Sequence, residues 1–439
     1  MTRRIAIVGG GLSGLVAAHE CSKLSDASIT VFESAERFGG KISSSPLGAS
    51  IVDDGADAFL LRTSAGSDLC QELGIGELRS PATHHAGVWA NDAIQPMPDG
   101  LVLGVPARVE ALRSSNILSE EGIERACAEP TLDVDPVLHD CSIGALVAER
   151  FGREVADRIT APLLGGIAAG NLYSMSLWAT VPVLAAAART PGAWSQNLSR
   201  SLPVANGTPS PAFGAPRGGM SALIERLIEA LQARGVELLT GHPCAELPEA
   251  DRVILTTPAW ESARLLAASA PLAAALLGQI RHASMAFIGL AYPPGTATPD
   301  PTSSGFLVPR TANRSITAAS WSSQKWPHLG QELIVRASIG HIDAPDALGG
   351  SDEDLVAQAR ADLADMAGLS ATPVDARVRR YPRSFPQFDV GHLDRITELR
   401  HHLRVEAPTV SLCGMAVQGV GIPACIEQAQ TAARQASTE

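Results

Sequence analysis

At the start of this chain, short apolar runs ending in glycine alternate with stretches whose apolar residues recur every three or four positions. Residues 3–8 (RRIAIV) are largely apolar and β-branched and run into glycines, the pattern of a strand buried on both faces of a parallel sheet. Leu12, Leu15, Val16 and His19 then share one face of a helix reaching Leu24, and residues 28–33 (SITVFE) predict a second strand. Strand, glycine turn, helix, strand is the opening of a doubly wound α/β sheet.

Residues 96–188 read as helical, with an amphipathic run over 141–158 and an alanine-rich run over 179–189. Residues 196–216 are rich in Pro, Gly, Ser and Asn and read as a loop crossing between domains. A helix follows, with Ser221 as its expected cap and one apolar stripe of Leu223, Ile224, Leu227, Ile228 and Leu231. Strands are expected over 236–239 and 252–256. Alternation over 285–292 and 333–339 predicts a second, sheet-containing domain. The tail repeats the opening theme, with strand 409–413, glycine loop 414–423 and helix 424–435. The most apolar stretch, 265–280, is broken by Pro271 and falls short of the roughly 18–20 apolar residues of a membrane span. The expectation is a soluble protein, at most peripheral to a membrane.

A chain of 439 residues, 45% of them hydrophobic, suits two or three domains sharing a discontinuous chain. Lys plus Arg number 34 against 46 Asp plus Glu, a net charge of −12, which argues against a nucleic-acid partner. An anionic substrate would need a local cluster of Arg or Lys. Cys21, Cys70, Cys127, Cys141, Cys244, Cys413 and Cys425 are dispersed, without C-x-x-C or metal-ligand spacing. They read as reduced thiols of a cytoplasmic protein with no metal. The N-terminus runs straight into a strand, so no signal peptide is expected. Lysine occurs three times (Lys23, Lys41, Lys325); with the many Ala and Gly residues, this points to a GC-rich genome.

Gly9, Gly11 and Gly14 form G-x-G-x-x-G between the first strand and helix, with Gly10, Leu12 and Ser13 inside the turn. Such glycines permit the tight turn, the approach of a pyrophosphate and helix–sheet packing, while the helix N-terminus supplies N–H donors. Glu33, followed by Ser34, ends the second strand about 20 residues on, where a carboxylate accepts bonds from a ribose diol. These features fit NAD and FAD alike. The next segment, Arg37-Phe38-Gly39-Gly40-Lys41, favours FAD: the extended cofactor crosses paired glycines there, and Arg37 is expected to meet phosphate. Gly55, Ala56, Asp57 and Ala58 of GADAF are expected beside the isoalloxazine ring. In the tail, Gly414, Val420, Gly421 and Ile422 lead into a helix with Pro423 in its first turn. A helix N-terminus aimed at the flavin pyrimidine edge would stabilise the reduced cofactor.

IAIVGGGLSGLVAA, RFGGKI, GADAF, APRGGMSALIERL, DRVILTTPA, SSQKWP, PQFDVGHLDRI and GVGIPACI together resemble the bacterial porphyrinogen oxidases, the protoporphyrinogen and coproporphyrinogen III oxidases. The likeness covers nearly the whole chain in order. The glycine fingerprint and RFGGK are shared with amine oxidases and carotenoid desaturases; PQFDVGHLDRI and GVGIPACI are the specific segments. Two departures stand out: Gly55-Ala56-Asp57 where many relatives have Gly-Pro-Asp, and His341 where an arginine–glycine pairing is common. His341 is read as an exposed loop histidine.

The resemblance implies a doubly wound FAD-binding domain (1–61, 211–262 and 405–439), a mixed-sheet substrate domain (62–95, 190–210 and 263–404) and an inserted helical domain (96–189). It implies oxidation of a porphyrinogen in successive two-electron steps, with dioxygen reoxidising the flavin. That chemistry requires no catalytic acid–base pair, and none is assigned. It implies a propionate contact at Arg62 and macrocycle packing on Phe306 and Leu307. The absence of an anchor and the compositional bias favour coproporphyrinogen III over protoporphyrinogen IX. Three alternatives are kept: the protoporphyrinogen branch, another FAD amine oxidase or desaturase, and a non-catalytic flavoprotein partnering a ferrochelatase of haem synthesis.

Overall fold

In the computed structural model, residues 2–83, 85–202 and 211–438 are described. The 203–210 part of the expected crossing loop lies outside the described residues. Five parallel strands form the first sheet, in the order Glu237–Leu239, Ser28–Phe32, Arg4–Val8, Arg252–Leu255, Val410–Leu412. Side chains alternate along a strand, and here both faces are apolar. Ile5, Ile7 and Ile254 join one core with the helices Leu12–Leu24, Ser221–Ala233 and Ile422–Thr438. Ala6, Val8, Val253 and Leu255 join another with the helices Ala259–Leu266, Pro271–Gly278 and His392–Glu406. The opening pattern is thus a doubly covered sheet.

The apolar stretch 265–280 becomes parts of two short helices packed on that sheet. Among the described residues no helix is long and apolar enough to cross a membrane. The stripe Leu223, Ile224, Leu227 and Leu231 is buried as expected. Ser221, however, is the first helical residue rather than the cap. The preceding amide, at Met220, donates instead to the Asp53 carboxylate at 2.9 Å, which serves the uncapped start from a distant strand.

A mixed sheet of seven strands follows the order Asp375–Pro386, His282–Tyr292, Leu333–Ile339, Ile316–Trp321, Gly305–Leu307, Gly87–Ala90, Ala93–Pro96. Neighbours are antiparallel except Gly305–Leu307 with Gly87–Ala90. Ala286, Ile288 and Leu290 pack under the helix Asp352–Ala367. The hairpin of Ser44–Leu47 and Ser50–Asp53 is clamped to the edge strand Asp375–Pro386 through Asp54. The fully buried Asp54 carboxylate meets Arg377 at 2.8 Å and Arg379 at 3.3 Å and accepts from Ser43 and Ser45 at 2.7 Å each.

A third, helix-rich core lies between these regions in sequence, built from Leu112, Ile143, Phe151, Val155, Leu184 and Trp194 among others. The expected helix over 141–158 breaks at Gly152 (φ +95°), leaving Ile143–Phe151 capped by Ser142 and a π-helical Ala156–Gly165 beyond it.

Leu227→Ala should cost about 2–5 kcal/mol, since its side chain is fully buried, whereas Ile228→Ala at the rim of the stripe should cost less than half as much. Thermal unfolding of both variants checks this; equal losses would contradict the burial pattern.

Candidate functional site

The carboxyl ends of parallel strands are where doubly wound sheets bind ligands, and four of the segments singled out above meet there. Gly9 turns at φ +108°, donating from its amide to Phe32 O at 2.8 Å. A Cβ on Gly14 would lie 1.8 Å from Gly9 O, so no other residue fits the first turn of that helix. Thr256, beyond the strand Arg252–Leu255, donates to Gly9 O at 2.8 Å and braces the loop. The second glycine segment lies against the first: Gly39 donates to Gly10 O at 2.8 Å, and a Cβ on Gly40 would stand 3.2 Å from Gly11 Cα. Gly55 abuts the carbonyl of Lys41, and Gly414 approaches Ser13 Oγ. Leu12 and Ser13 open a helix whose first amides have no side-chain cap.

Glu33 reaches this turn as expected. One carboxylate oxygen accepts from Gly10 N at 2.7 Å, the other from Ala35 N at 2.8 Å and Ser34 Oγ at 3.3 Å. Arg37 has a different role from the one expected: its guanidinium donates to the carbonyls of Phe38, Gly40 and Ile42, rigidifying the glycine turn instead of reaching out to phosphate. Lys41 is largely buried, which lowers its pKa, and among the described residues it forms no ion pair. A helix start without a side-chain cap, glycine backbones in contact and a lysine with no ion pair among the described residues suit a dinucleotide bearing a diphosphate. Residues 9–14, 39–41 and 414–422 are the ones that would hold it.

Asp57 does not present its carboxylate to a cofactor. It accepts from Lys325 Nζ at 2.8 and 2.9 Å and from Trp326 Nε1 at 3.1 Å, with Arg336 at 3.6 Å. Burial alone would push its carboxyl up, but the Arg336 and Lys325 charges and the two hydrogen-bond donors outweigh that and hold it well below the usual range. Arg336 also donates to Gly55 O, so the cluster fixes the backbone of GADAF while Ala56 stays exposed and Ala58 packs on the first core. A cavity of about 510 Å³ opens beside it, lined by Asp57, Arg336, Trp326, Arg79, Arg217 and Gly219 among others.

The three expected substrate contacts separate. Arg62 is exposed, with no ion pair among the described residues. Phe306 is 1% exposed and packed against Trp321, 5.7 Å between ring centres, so its ring is filler of the sheet–helix core and not a macrocycle contact. Leu307 points to the other face and packs on the helix-rich core. A separate apolar cluster does exist: Ala169, Ala283 and Met285, flanked by Phe287, Ile342 and Phe385. His341 is part of its frame rather than an exposed loop residue. Its Nε2 donates to Gly170 O at 2.8 Å, and its Nδ1 accepts from Asp343 N at 3.1 Å. Arg310, paired with Asp343, and Arg383, stacked on Trp260 at 4.6 Å, flank that frame. Lys325 and Arg336, which hold Asp57, are not among the residues expected from the sequence. Each carries a signal there: Lys325 is one of three lysines, and Arg336 interrupts the apolar strand Leu333–Ile339.

The model of the flavin containing amine oxidoreductase family matches residues 12–437. Coproporphyrinogen III oxidase of Mycobacterium tuberculosis (strain ATCC 25618 / H37Rv) is 34% identical, over 97% of this chain and 95% of the relative. The Bacillus subtilis (strain 168) protein of the same name is 30% identical, over 99% and 98%. A crystal structure from Exiguobacterium sp. 255-15, provisionally named a protoporphyrinogen oxidase, superposes with a TM-score of 0.90 at 28% identity, covering 100% of this chain and 99% of that one.

Because Asp57 is depressed, its stabilisation is complete above the unfolded value of about 3.9 and is lost as pH falls towards the folded one. Asp57→Asn should therefore lower the melting temperature at pH 7 by several degrees, on the order of 3 kcal/mol, with the gap to wild type narrowing below about pH 4. Melting curves across that range test this; a gap independent of pH would contradict it.

Proposed function

The chain belongs to the flavin containing amine oxidoreductase family, among the relatives of the bacterial coproporphyrinogen III oxidases; from that premise we propose that it oxidises coproporphyrinogen III to coproporphyrin III in haem biosynthesis. Its cofactor is FAD, which supplies two-electron acceptance from a C–H bond. The observation that carries the reading is the extent of the likeness. It spans nearly the whole chain, PQFDVGHLDRI included, whose residues link Ala168 of the helix-rich core to the C-terminal glycine loop.

On this reading the protein's own residues bind and orient. Gly9–Gly14, Glu33, Gly39–Lys41 and the loop 414–422 hold the dinucleotide, and the division into FAD-binding, substrate and helical domains is kept at the boundaries given above. The apolar cluster and the neighbouring arginines suit a flat, polyanionic ring: apolar surface takes the macrocycle, and guanidinium groups take carboxylates. Arg62 remains the proposed propionate contact, since it is exposed and its charge is uncommitted to any described acid. Each step removes a hydride and a proton from the substrate. With dioxygen as acceptor, both leave as hydrogen peroxide, so atoms and electrons balance without a further oxidant. A ferrochelatase downstream would take the product, and any membrane contact is peripheral. Protoporphyrinogen IX is the second reading, favoured by the provisional name of the Exiguobacterium structure.

The purified flavoprotein, given coproporphyrinogen III and protoporphyrinogen IX separately, should develop porphyrin fluorescence faster with the former, with matching oxygen uptake and peroxide release. Fluorescence with neither substrate would overturn the proposal, and anaerobic turnover at the full rate would remove dioxygen from it. Arg62→Ala should raise KM for coproporphyrinogen about tenfold, a loss of about 1.4 kcal/mol in binding, while FAD content stays at the wild-type level; an unchanged KM would rule out this contact.

A further inference from the structure

His392 opens the helix His392–Glu406, yet its ring is fully buried and lies over Phe388, 4.1 Å between centres at 21°. Its Nε2 is 3.1 Å from Val417 O, and because a carbonyl only accepts, the proton must sit on that nitrogen. Nδ1 has no partner. Burial lowers the pKa to about 4, so the ring is neutral. A neutral imidazole with one bare, buried nitrogen is costlier than a phenylalanine filling the same space. Its single polar contact is the return for that cost.

Val417 lies in the loop between Gly414 and the helix Ile422–Thr438. In a trans peptide the carbonyl and the following N–H point in opposite directions. Holding Val417 O towards His392 therefore turns the Gln418 N–H away from it. The next carbonyl, of Gln418, is tied in the same manner by Gln428 of the helix, which sets the Gly419 amide. The amides of Gln418, Gly419 and Val420 find no acceptor among the described residues, and they precede a helix N-terminus. Successive open N–H groups there form a cradle for negative charge.

We infer that His392 is a positioning residue for the flavin, aiming the backbone amides of residues 418–420 at the cofactor by tethering the carbonyl of Val417. This rests on the reading that the loop 414–422 meets the flavin. The tether's other end reaches the substrate side. Gln387 donates to Ala168 O at 2.9 Å, Val390 N to Ser174 O at 3.0 Å, and Asp389 grips Arg281 with both oxygens. Six residues, Gln387 to His392, thus link the loop around Ala168 to the amides beside the cofactor.

His392→Phe keeps the stack and the volume and removes the donor; His392→Gln restores a donor. In the holoenzyme, His392→Phe and a second donorless variant, His392→Leu, should bind reduced flavin on the order of tenfold more weakly relative to oxidised flavin, read as a lower midpoint potential by dye equilibration. kcat should fall with KM unchanged, and His392→Gln should recover most of both. If the donorless variants melt earlier but keep the wild-type potential and kcat, His392 only fills space and the proposal fails. Gly421→Ala separates the two claims, since its methyl meets nothing in the protein closer than Pro423 at 3.8 Å. A shifted potential in Gly421→Ala alone refutes the role of His392. No shift in any variant refutes both that role and the reading that this loop meets the flavin.

Discussion

Backbone touching backbone at the carboxyl edge of the parallel sheet is the constraint on which the rest of this molecule depends. Gly14 must pass the carbonyl of Gly9 at a distance that excludes any Cβ, and Gly11 and Gly40 meet with only hydrogens between them. That approach holds two chain segments together, with the Gly39 amide donating to Gly10 O across the contact. Arg37 and Thr256 then stiffen the junction, each spending its donors on loop carbonyls. The sheet, covered on both faces by apolar helices, is the rigid base that makes such tight tolerances sustainable.

Around this junction, charge is distributed against the average. The chain is acidic overall, yet Lys41 has no acidic partner among the described residues and Asp57 faces two cations. His282 and His392 are both held neutral, with pKa values near 4, by burial. Desolvated imidazoles add no charge of their own, so the local field is set by lysine, arginine and backbone amides. This is an environment prepared for an anion in a molecule that repels anions at long range.

Much of this was legible in the sequence where it rested on local geometry. Glycine spacing located the turn, three-and-four periodicity located the helix carrying Leu223 and Leu227, and the returning tail was visible as strand, loop and helix. What was not legible depended on partners far along the chain. Asp57 and Lys325 are separated by 268 positions, and no periodicity relates them. The macrocycle contact at Phe306 came from the family resemblance, which carries a position but not the packing around it, here the Trp321 ring. Ser221 looked like a cap because serine commonly is one, whereas the helix start is served by Asp53 from another element. His341 sits in a loop, but the Gly170 carbonyl that buries it belongs to the helix-rich region.

The Glu33 carboxylate carries one last implication. It already accepts from Gly10, Ala35 and Ser34. An ionised carboxylate offers about four acceptor positions, so on the proposed function a ribose hydroxyl would join these donors on one shared anion rather than meet a bare one. The same bonds hold the backbone of the turn, so that much of the entropy of ordering this loop is spent during folding and not at the moment of binding.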